Sequence, residues 1–191
     1  MHDKTRVGER IREIRDSQDL SVAELAERSQ CSPEVIEQLE AGQMTPSLAP
    51  LLKIARGLGV RLGALLDDDP HPGAVVVRAG QSENVVRFSG IRTASMSTLD
   101  FHPLAQNKQD RHMEPFIIDV HPTVDEDCLL SAHEGEEFIY VLSGQIDVTY
   151  GKDLYRLSPG DSIYYDSVVP HEVRAAGDAP AKIVAVVYTP V

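Results

Sequence analysis

The sequence is poor in several residue types, and each shortage excludes a class of protein. It has no tryptophan, only 5% aromatic residues, and 2 cysteines, Cys31 and Cys128, in a chain of 191 residues. Two such distant cysteines form neither a disulfide framework nor a thiolate metal site. No apolar run approaches the ~20 residues of a membrane-spanning helix, and the first residues lack the apolar segment of a secretory signal. We therefore expect a cytoplasmic protein with no membrane partner.

Basic residues are also scarce. The chain has 18 Lys and Arg against 30 Asp and Glu, which gives a formal net charge of −12. Residues 1–66 hold 9 basic and 10 acidic residues, whereas residues 67–191 hold 9 basic and 20 acidic residues. Nucleic-acid-binding proteins usually have a basic surface, because phosphate contacts dominate their affinity. The composition by itself therefore argues against DNA as a partner, so DNA binding would require a local surface that overcomes this charge.

The first third of the chain follows the pattern of short amphipathic helices. Apolar residues recur at helical spacing in its first segment, at Val7, Ile11, Ile14 and Leu20. Ser21 and Glu24 have the spacing of a capping box, in which each side chain accepts from the other residue's backbone N–H. This pair predicts a helix over residues 22–29.

A second start signal follows closely. Ser32 is a predicted N-cap, and Pro33 suits the first helical position because its missing N–H is not needed there. Gly42 suits the position just past the end of this helix, where a positive φ is common. Two further helices are predicted over residues 47–58 and 61–66.

Two short helices joined by a tight turn, over residues 21–29 and 32–41, have the helix-turn-helix arrangement. The sequence resembles the Xre or lambda-repressor-type helix-turn-helix family through Ile11, Ile14-Arg15, Leu20-Ser21-Val22-Ala23-Glu24-Leu25-Ala26, Ile36, Leu39-Glu40, Gly42, Pro46, Leu51, Ile54-Ala55 and Leu58. The resemblance implies an all-α domain over residues 1–66 that binds double-stranded DNA, with residues 33–41 as the recognition helix.

The resemblance also implies which residues contact DNA: Ser21, Val22, Ser32, Pro33, Glu34, Glu37 and Gln38. Val22 stands where family members often carry glutamine, and the recognition face carries Glu34 and Glu37 but no Arg or Lys. Carboxylates can accept from cytosine N4, and Gln38 offers the amide that pairs well with adenine. A helical dimerisation or lid domain that does not bind DNA is the alternative.

The composition changes at Asp67. Residues 67–74 are acidic and rich in proline and glycine, which predicts a linker. Strand-like runs separated by turn residues follow, over residues 75–77, 116–120, 138–142, 146–150, 162–165 and 183–187. Many short strands with regular turns predict an all-β sandwich or closed barrel over residues 75–191. The polar stretch 101–113 is predicted to be a long exposed loop.

One group of residues in the β region has the chemistry of a metal site. His133 and Glu137 are four residues apart, so an extended backbone can direct both to one face. His171 completes a set of two histidines and one carboxylate. Such a set suits Fe(II), Mn(II) or a related ion and leaves positions open for substrate, and Zn(II) also accepts these ligand types. For a lone histidine such as His133, a structural role is the alternative.

These residues lie in two motifs that resemble those of the cupin family. The first motif matches Ser131, His133, Glu137 and Gly144, and the second matches Pro159, Gly160 and His171. The resemblance spans residues 113–188 and implies a jelly-roll barrel, also called a double-stranded β-helix. Ser131 stands where the first histidine of the family would be, so one common metal ligand is missing. Ser131 is therefore a candidate for binding a small organic ligand.

A helix-turn-helix domain followed by a cupin barrel resembles a large group of bacterial one-component transcriptional regulators. In that group the barrel senses a metabolite and dimerises the DNA-binding domains. A ligand that prefers one dimer geometry shifts the spacing of the two recognition helices. The resemblance therefore implies a sequence-specific DNA-binding regulator whose partners are double-stranded DNA, a small-molecule effector and a second copy in a homodimer.

The same architecture also resembles the hydroxypropylphosphonate epoxidases, a family of mononuclear non-haem iron enzymes. The resemblance includes Ser131 in place of a histidine, and it implies the same three metal ligands. Asp19 stands where that family has a substrate-binding lysine, and Arg92 is the candidate for holding an anionic ligand. An iron-dependent oxidase or epoxidase with a vestigial helix-turn-helix is thus the second hypothesis. A metabolite-binding cupin whose helices only assemble oligomers is the third.

Overall fold

A computed structural model describes residues 3–44, 47–67, 71–78, 86–88, 99–123 and 130–190, with the backbone alone at residues 3–5 and 86–88. The chain divides into two compact units. One consists mainly of Met1–Val76 with Gln106–Arg111, and the other of Val77–Ala105 with His112–Pro190. Within the described ranges, no helix is both long and apolar enough to cross a bilayer.

The described part of the first unit is built from five helices. They are α1 (Asp3–Ser17), α2 (Val22–Ser29), α3 (Pro33–Glu40), α4 (Leu48–Gly57) and α5 (Leu62–Leu66). The predictions for α2 to α5 are confirmed to within one residue at each end. The predicted all-α fold of this region is therefore confirmed.

The turn between α2 and α3 forms for the local reasons that the sequence indicates. Ser21 Oγ accepts from the Glu24 N–H at 3.2 Å, and Glu24 Oε2 accepts from the Ser21 N–H at 2.8 Å, so the capping box is present. Gln30 ends α2 in the left-handed conformation, and Gly42 follows α3 at a φ of 65°. The C-terminal ends of α2 and α3 are therefore both marked by a residue with a positive φ.

A buried ion pair joins α1 to α3 across the apolar core of this unit. Arg15 donates to both carboxylate oxygens of Glu40, at 2.7 and 2.9 Å, and Arg12 donates to Oε2 at 3.2 Å. Burial by itself raises the pKa of Glu40, but the hydrogen bonds from the two arginines hold it below its usual value. Since Glu40 is the last residue of α3, this pair fixes the end of α3 against α1.

The segment Gln106–Arg111 belongs to the helical unit and corrects one prediction. Its Arg111 pairs with Asp67, and both side chains are 7% exposed. Arg61 donates to the backbone oxygens of Asp110 at 2.9 Å and Arg111 at 3.0 Å. The expectation of a long exposed loop over residues 101–113 is therefore wrong, because residues 101–103 lie in a strand and Arg111 is buried by its ion pair.

The second unit consists of antiparallel strands. They are β1 (Val86–Phe88), β2 (Leu99–Pro103), β3 (Met113–Val120), β4 (Glu136–Ser143), β5 (Ile146–Tyr150), β6 (Asp153–Leu157), β7 (Ser162–Asp166), β8 (His171–Ala175) and β9 (Ala181–Tyr188). A six-stranded sheet has the order β1-β2-β3-β9-β4-β7, and a three-stranded sheet has the order β6-β5-β8. The predicted all-β cupin-like fold is confirmed, although the run 75–77 is not a strand.

Alternation along the strands separates two faces of the six-stranded sheet. The inward residues are almost fully buried and form the core with residues of the smaller sheet, among them Phe116, Ile139, Ile146 and Ile183. The outward residues are also mostly apolar. Directly opposed outward residues include Ile117 with Val184, Val184 with Tyr140, and Val186 with Phe138. We call these five residues the outer apolar face.

Candidate functional site

Three titratable residues meet in the interior of the β unit. His133 lies just before β4, Glu137 is the second residue of β4, and His171 is the first residue of β8, so the group joins the two sheets. Their exposed fractions are 5%, 7% and 4%. Glu137 Oε1 lies 2.8 Å from His133 Nε2 and 3.4 Å from His171 Nε2. The structure thus brings together the three residues that the spacing singled out.

Backbone contacts place these side chains. The His133 N–H donates to the Ser167 carbonyl at 3.0 Å, and the Ser167 N–H donates to the Gly135 carbonyl at 2.9 Å. Gly135 has a φ of 106°, and a β-carbon at this position would lie 1.9 Å from the Tyr188 carbonyl oxygen. Glycine at residue 135 therefore allows the loop to bring His133 close to Glu137.

Hydrogen bonds also determine which nitrogen of each histidine carries the proton. His133 Nδ1 lies 3.0 Å from the Glu134 carbonyl oxygen, and His171 Nδ1 lies 2.9 Å from the Val169 carbonyl oxygen. Because a carbonyl oxygen can only accept, each Nδ1 carries a proton. Nε2 is then left to donate a proton to Glu137 or, once that proton is lost, to offer its lone pair to a metal ion. This is the arrangement in which metal-binding histidines are usually held.

The electrostatics of the group favour a bound cation. Burial raises the pKa of Glu137, but the hydrogen bonds and charges of His133 and His171 outweigh this and bring it to about 2. Burial lowers the pKa of His171, yet its contact with Glu137 leaves that pKa above its usual value. The carboxylate is therefore ionised, and its negative charge lies beside two imidazoles with converging Nε2 atoms. These donor types fit a divalent metal ion.

Tyr165 is a further member of the group that the sequence did not reveal. Its hydroxyl donates to Glu137 Oε2 at 2.7 Å, and its ring centroid lies 5.0 Å from that of His171. Burial and the neighbouring carboxylate raise the pKa of Tyr165, which keeps the hydroxyl protonated. By sequence it is one of several tyrosines that alternate along strands. Only the pairing of β7 with β4 shows that it faces Glu137.

Of the two residues predicted to bind an organic ligand, Ser131 and Arg92, the structure describes only Ser131. Ser131 forms an antiparallel bridge with His171, through hydrogen bonds of 2.7 and 2.9 Å. Directly opposed residues in such a bridge project to the same face, so Ser131 lies on the face that carries His171. Arg92 lies outside the described residues. Nearby, the hydroxyl of Ser167 is buried and has no hydrogen-bond partner among the described residues.

The predicted DNA-contacting residues lie on the surface of the helical unit. Ser21, Ser32, Pro33, Glu34, Glu37 and Gln38 are exposed, and Val22 is half-buried. A backbone N–H of Glu34 and the Ser32 hydroxyl lower the pKa of the Glu34 carboxyl, so this side chain is negatively charged at neutral pH. The exposed face of α3 therefore combines two carboxylates with one amide, as the sequence predicts.

Comparison with known proteins identifies both units. The helix-turn-helix family matches residues 11–65, and the cupin domain family matches residues 120–187. The chain therefore combines an Xre-type helix-turn-helix domain with a cupin domain, and this combination supports a DNA-binding regulator.

Individual relatives cover nearly the whole chain. The (S)-2-hydroxypropylphosphonic acid epoxidase of Streptomyces wedmorensis is 29% identical, and the alignment covers 95% of each protein. The transcriptional regulator PuuR of Escherichia coli is 25% identical, with 96% of this chain and 94% of PuuR covered.

Among solved structures, a helix-turn-helix-family transcriptional regulator from Vibrio cholerae has a TM-score of 0.69 at 22% identity, with 99% of this chain and 98% of that chain covered. The Fe(II) form of the epoxidase HppE has a TM-score of 0.51 at 25% identity, with 97% of this chain and 100% of that chain covered.

Proposed function

We propose that this protein is a sequence-specific transcriptional regulator that reads double-stranded DNA with α3 and senses a small molecule or metal ion in its barrel. The observation that supports this most directly is the capped α2–α3 pair, which presents an exposed polar face on α3. In helix-turn-helix proteins the second helix enters the major groove with its N-terminal residues toward the bases. PuuR, a transcriptional regulator, is similar to the chain over both domains.

The exposed side chains of α3 suggest what kind of base contacts it makes. Gln38 can form two hydrogen bonds with adenine, and Glu34 and Glu37 can accept from the N4 amino group of cytosine. Ser21, Val22, Ser32 and Pro33 lie at the N-terminal ends of α2 and α3. Backbone N–H groups at helix N-termini commonly contact phosphate. We therefore assign base reading to the three longer side chains and phosphate contact to the other four residues. In that group the Val22 N–H and the Ser32 hydroxyl are the donors, while Ser21, which is engaged with Glu24, and Pro33, which has no N–H, lie beside the phosphates.

Genome-fragment binding tests this assignment. The full chain is mixed with sheared DNA from its source and the bound fragments are sequenced at two salt concentrations. We expect enrichment of a pseudo-palindromic site, and loss of that enrichment in the double variant Ser32→Ala, Gln38→Ala. Gln145→Ala, which removes an exposed amide from the turn between β4 and β5, is the matched control. Equal recovery of all fragments by folded wild-type protein would contradict the proposal.

We also propose that His133, Glu137 and His171 bind a divalent metal ion, Fe(II), Mn(II) or Zn(II), and that Ser131 and Arg92 contribute to binding a small-molecule effector. Support comes from the converging Nε2 and Oε1 atoms and from the protons that Nδ1 of each histidine donates to a backbone carbonyl. When bound, such an ion supplies a Lewis-acidic site that can hold an anionic or carbonyl group of an effector.

A homodimer completes the proposed regulator, since two recognition helices are needed to read a two-fold symmetric site. The outer apolar face is the surface that we assign to it. Two copies that each carry a net charge of −12 repel one another, so they associate most readily through a surface without charge. The five residues of this face are all uncharged, and an apolar surface is complementary to a second copy of itself.

A second candidate function is that of a mononuclear non-haem iron oxidase or epoxidase. It is favoured by the two-histidine, one-carboxylate group and by the full-length similarity to the Streptomyces epoxidase. Oxygen uptake by the Fe(II)-loaded chain in the presence of a hydroxyalkylphosphonate distinguishes the two. Substrate-dependent uptake that His133→Ala abolishes would favour the enzyme. Operator binding without such uptake would favour the regulator.

A further inference from the structure

The two carboxylate oxygens of Glu137 have different neighbours. Oε1 faces the Nε2 atoms of His133 and His171, at 2.8 and 3.4 Å. Oε2 is 2.7 Å from the hydroxyl of Tyr165. Because an ionised carboxylate can only accept, this hydroxyl donates its proton to Oε2. One oxygen is thus directed at the two histidines while the other is held by a separate donor.

The sheet, rather than a flexible side chain, determines where this donor lies. Glu137 in β4 stands directly opposite Tyr165 in β7. Directly opposed residues in antiparallel strands project to the same face, with close β-carbons. Pairing continues on both sides, between Glu136 and Asp166 and between Phe138 and Tyr164. The distance between carboxylate and hydroxyl therefore follows from the register of two paired strands.

The ring of Tyr165 is also held in place. Its centroid lies 5.0 Å from that of His171 and 5.3 Å from that of Tyr150, and the residue is 5% exposed. A side chain packed against two rings has few alternative rotamers. Its hydroxyl is therefore pre-organised toward Oε2, as an effective supporting group must be.

We propose that Tyr165 is a positioning residue of the metal centre, whose hydroxyl retains Glu137 Oε2 so that only Oε1 is presented to a divalent cation. This inference rests on the proposed metal site. A carboxylate that binds through one oxygen occupies one coordination position, whereas one that binds through both occupies two. Tyr165 therefore keeps one more position available to a small-molecule ligand.

Co(II) is the probe for the first test, because its visible absorption depends on the number and arrangement of its ligands. Tyr165→Phe removes the hydroxyl and retains the ring that packs between Tyr150 and His171. We expect this variant to bind one Co(II) with an altered visible spectrum and an affinity about 10- to 100-fold weaker, the range typical for loss of a supporting hydrogen bond.

Tyr150→Phe is the matched control. It also removes a tyrosine hydroxyl beside the site, but this hydroxyl donates to the Asp166 carbonyl at 3.3 Å and not to Glu137. We expect the wild-type Co(II) spectrum in this variant. If Tyr165→Phe keeps the wild-type spectrum and affinity, the inference is overturned while the metal site stands. If the wild-type chain binds no Co(II), or His133→Ala binds it equally well, the metal site itself is overturned.

A second test uses the wild-type chain alone and so does not depend on whether Tyr165→Phe folds. The infrared difference spectrum between Zn(II)-loaded and metal-free protein isolates the carboxylate bands that change on binding. Widely separated asymmetric and symmetric stretching bands, as given by a carboxylate bound through one oxygen, are expected. Closely spaced bands, as given by a carboxylate bound through both oxygens, would overturn the inference.

Discussion

At the residue scale, the candidate metal centre depends on where two imidazole rings carry their protons. Each Nδ1 donates to a backbone carbonyl, from His133 to Glu134 and from His171 to Val169. The two Nε2 atoms consequently meet the charged oxygen of Glu137 in a place that water reaches poorly. Three acceptor atoms so close together are stable only with a proton or a metal ion between them. The negative charge of Glu137 is therefore what favours a cation at this site.

Replacing Glu137 with glutamine tests this requirement. The Glu137→Gln side chain keeps the size of the original but has no negative charge to offset a cation. We expect binding of Fe(II), Mn(II) or Zn(II) to weaken by more than about 100-fold, because a ligand is lost and not only a supporting contact. Anaerobic equilibrium dialysis followed by metal analysis measures this.

Glu136→Gln is the control for that variant. Glu136 precedes Glu137 in β4, projects to the other side of the sheet and accepts a hydrogen bond from Tyr164. Wild-type metal binding is expected in this variant. Equal loss of metal in both variants would show that general charge, and not the buried group, determines binding.

The Arg15–Glu40 pair makes a prediction about pH. The folded-state pKa of Glu40 lies below its unfolded value, so the pair stabilises the fold above the unfolded pKa of about 4.3. That stabilisation is lost as the pH falls through the folded pKa. In Glu40→Gln, we expect the free energy of unfolding to fall by about 2–3 kcal/mol at neutral pH, with less further loss on acidification.

Chemical denaturation of the full chain between pH 3 and pH 7 measures this effect. Glu37→Gln, an exposed position on the same helix, is expected to change the free energy of unfolding by less than about 0.5 kcal/mol. A Glu40→Gln variant with wild-type acid sensitivity would contradict the role of the pair.

At the element scale, the turn before β4 decides whether the histidine and the carboxylate meet. Gly135 and Gly160 both have φ values near 100°, at 106° and 94°, but only Gly135 has backbone in the space of a β-carbon. Substitutions at these two glycines therefore distinguish the free-energy cost of a positive φ, which both positions share, from that of a steric clash, which arises only at Gly135.

Substitution by alanine tests this difference. Gly160→Ala is expected to lower the free energy of unfolding by about 1 kcal/mol, the cost of a left-handed conformation. Gly135→Ala is expected to cost at least about 3 kcal/mol, because the chain must also move away from Tyr188, and to weaken metal binding as His133 shifts. Thermal unfolding and metal dialysis measure the two effects. Equal stability of the two variants would show that the loop adjusts freely.

The elements show how much of the fold the sequence could predict. The prediction for β5 matches its bounds, because turn residues flank an apolar run on both sides. β6 and β8 were not predicted from the sequence. Their outward positions carry charged residues such as Arg156 and Arg174, which interrupt the apolar pattern of a strand. The charge of Arg156 is compensated across the strands, because Arg156 forms an ion pair with the buried Asp147 at 2.8 Å. Val75–Val77 has an apolar pattern, but no partner strand is present for it among the described residues.

The residues of the candidate metal site likewise include some that the sequence could predict and one that it could not. His133, Glu137 and His171 could be predicted because ligand types at suitable spacing are visible along one chain. Tyr165 could not, because its contact with Glu137 depends on the pairing of β7 with β4. No local pattern reports which strands become neighbours.

At the scale of the whole molecule, the excess of negative charge and the outer apolar face together determine which surface two copies can use to associate. Tyr140 is 40% exposed and lies between Ser162 and Val184 on neighbouring strands. We expect Tyr140→Glu to convert the proposed homodimer to a monomer, since each interface would then bury two unpaired carboxylates. Sedimentation velocity of the full chain measures the change.

The control places the same charge on the other sheet. Leu154 of β6 is 57% exposed, and Leu154→Glu is expected to leave the sedimentation coefficient unchanged. A dimer that persists in Tyr140→Glu but dissociates in Leu154→Glu would move the interface to the three-stranded sheet.

The ion pair between Asp67 and Arg111 has a consequence for how this protein is made and dissected. The helical unit is discontinuous in sequence, because a residue 44 positions downstream of Asp67 completes its packing. During synthesis, the five helices emerge from the ribosome well before their last buried partner exists. A fragment cut at the linker, at residue 74, likewise lacks Arg111 and with it the ion pair that completes this packing. A DNA-binding assay on that fragment would therefore report on a damaged domain.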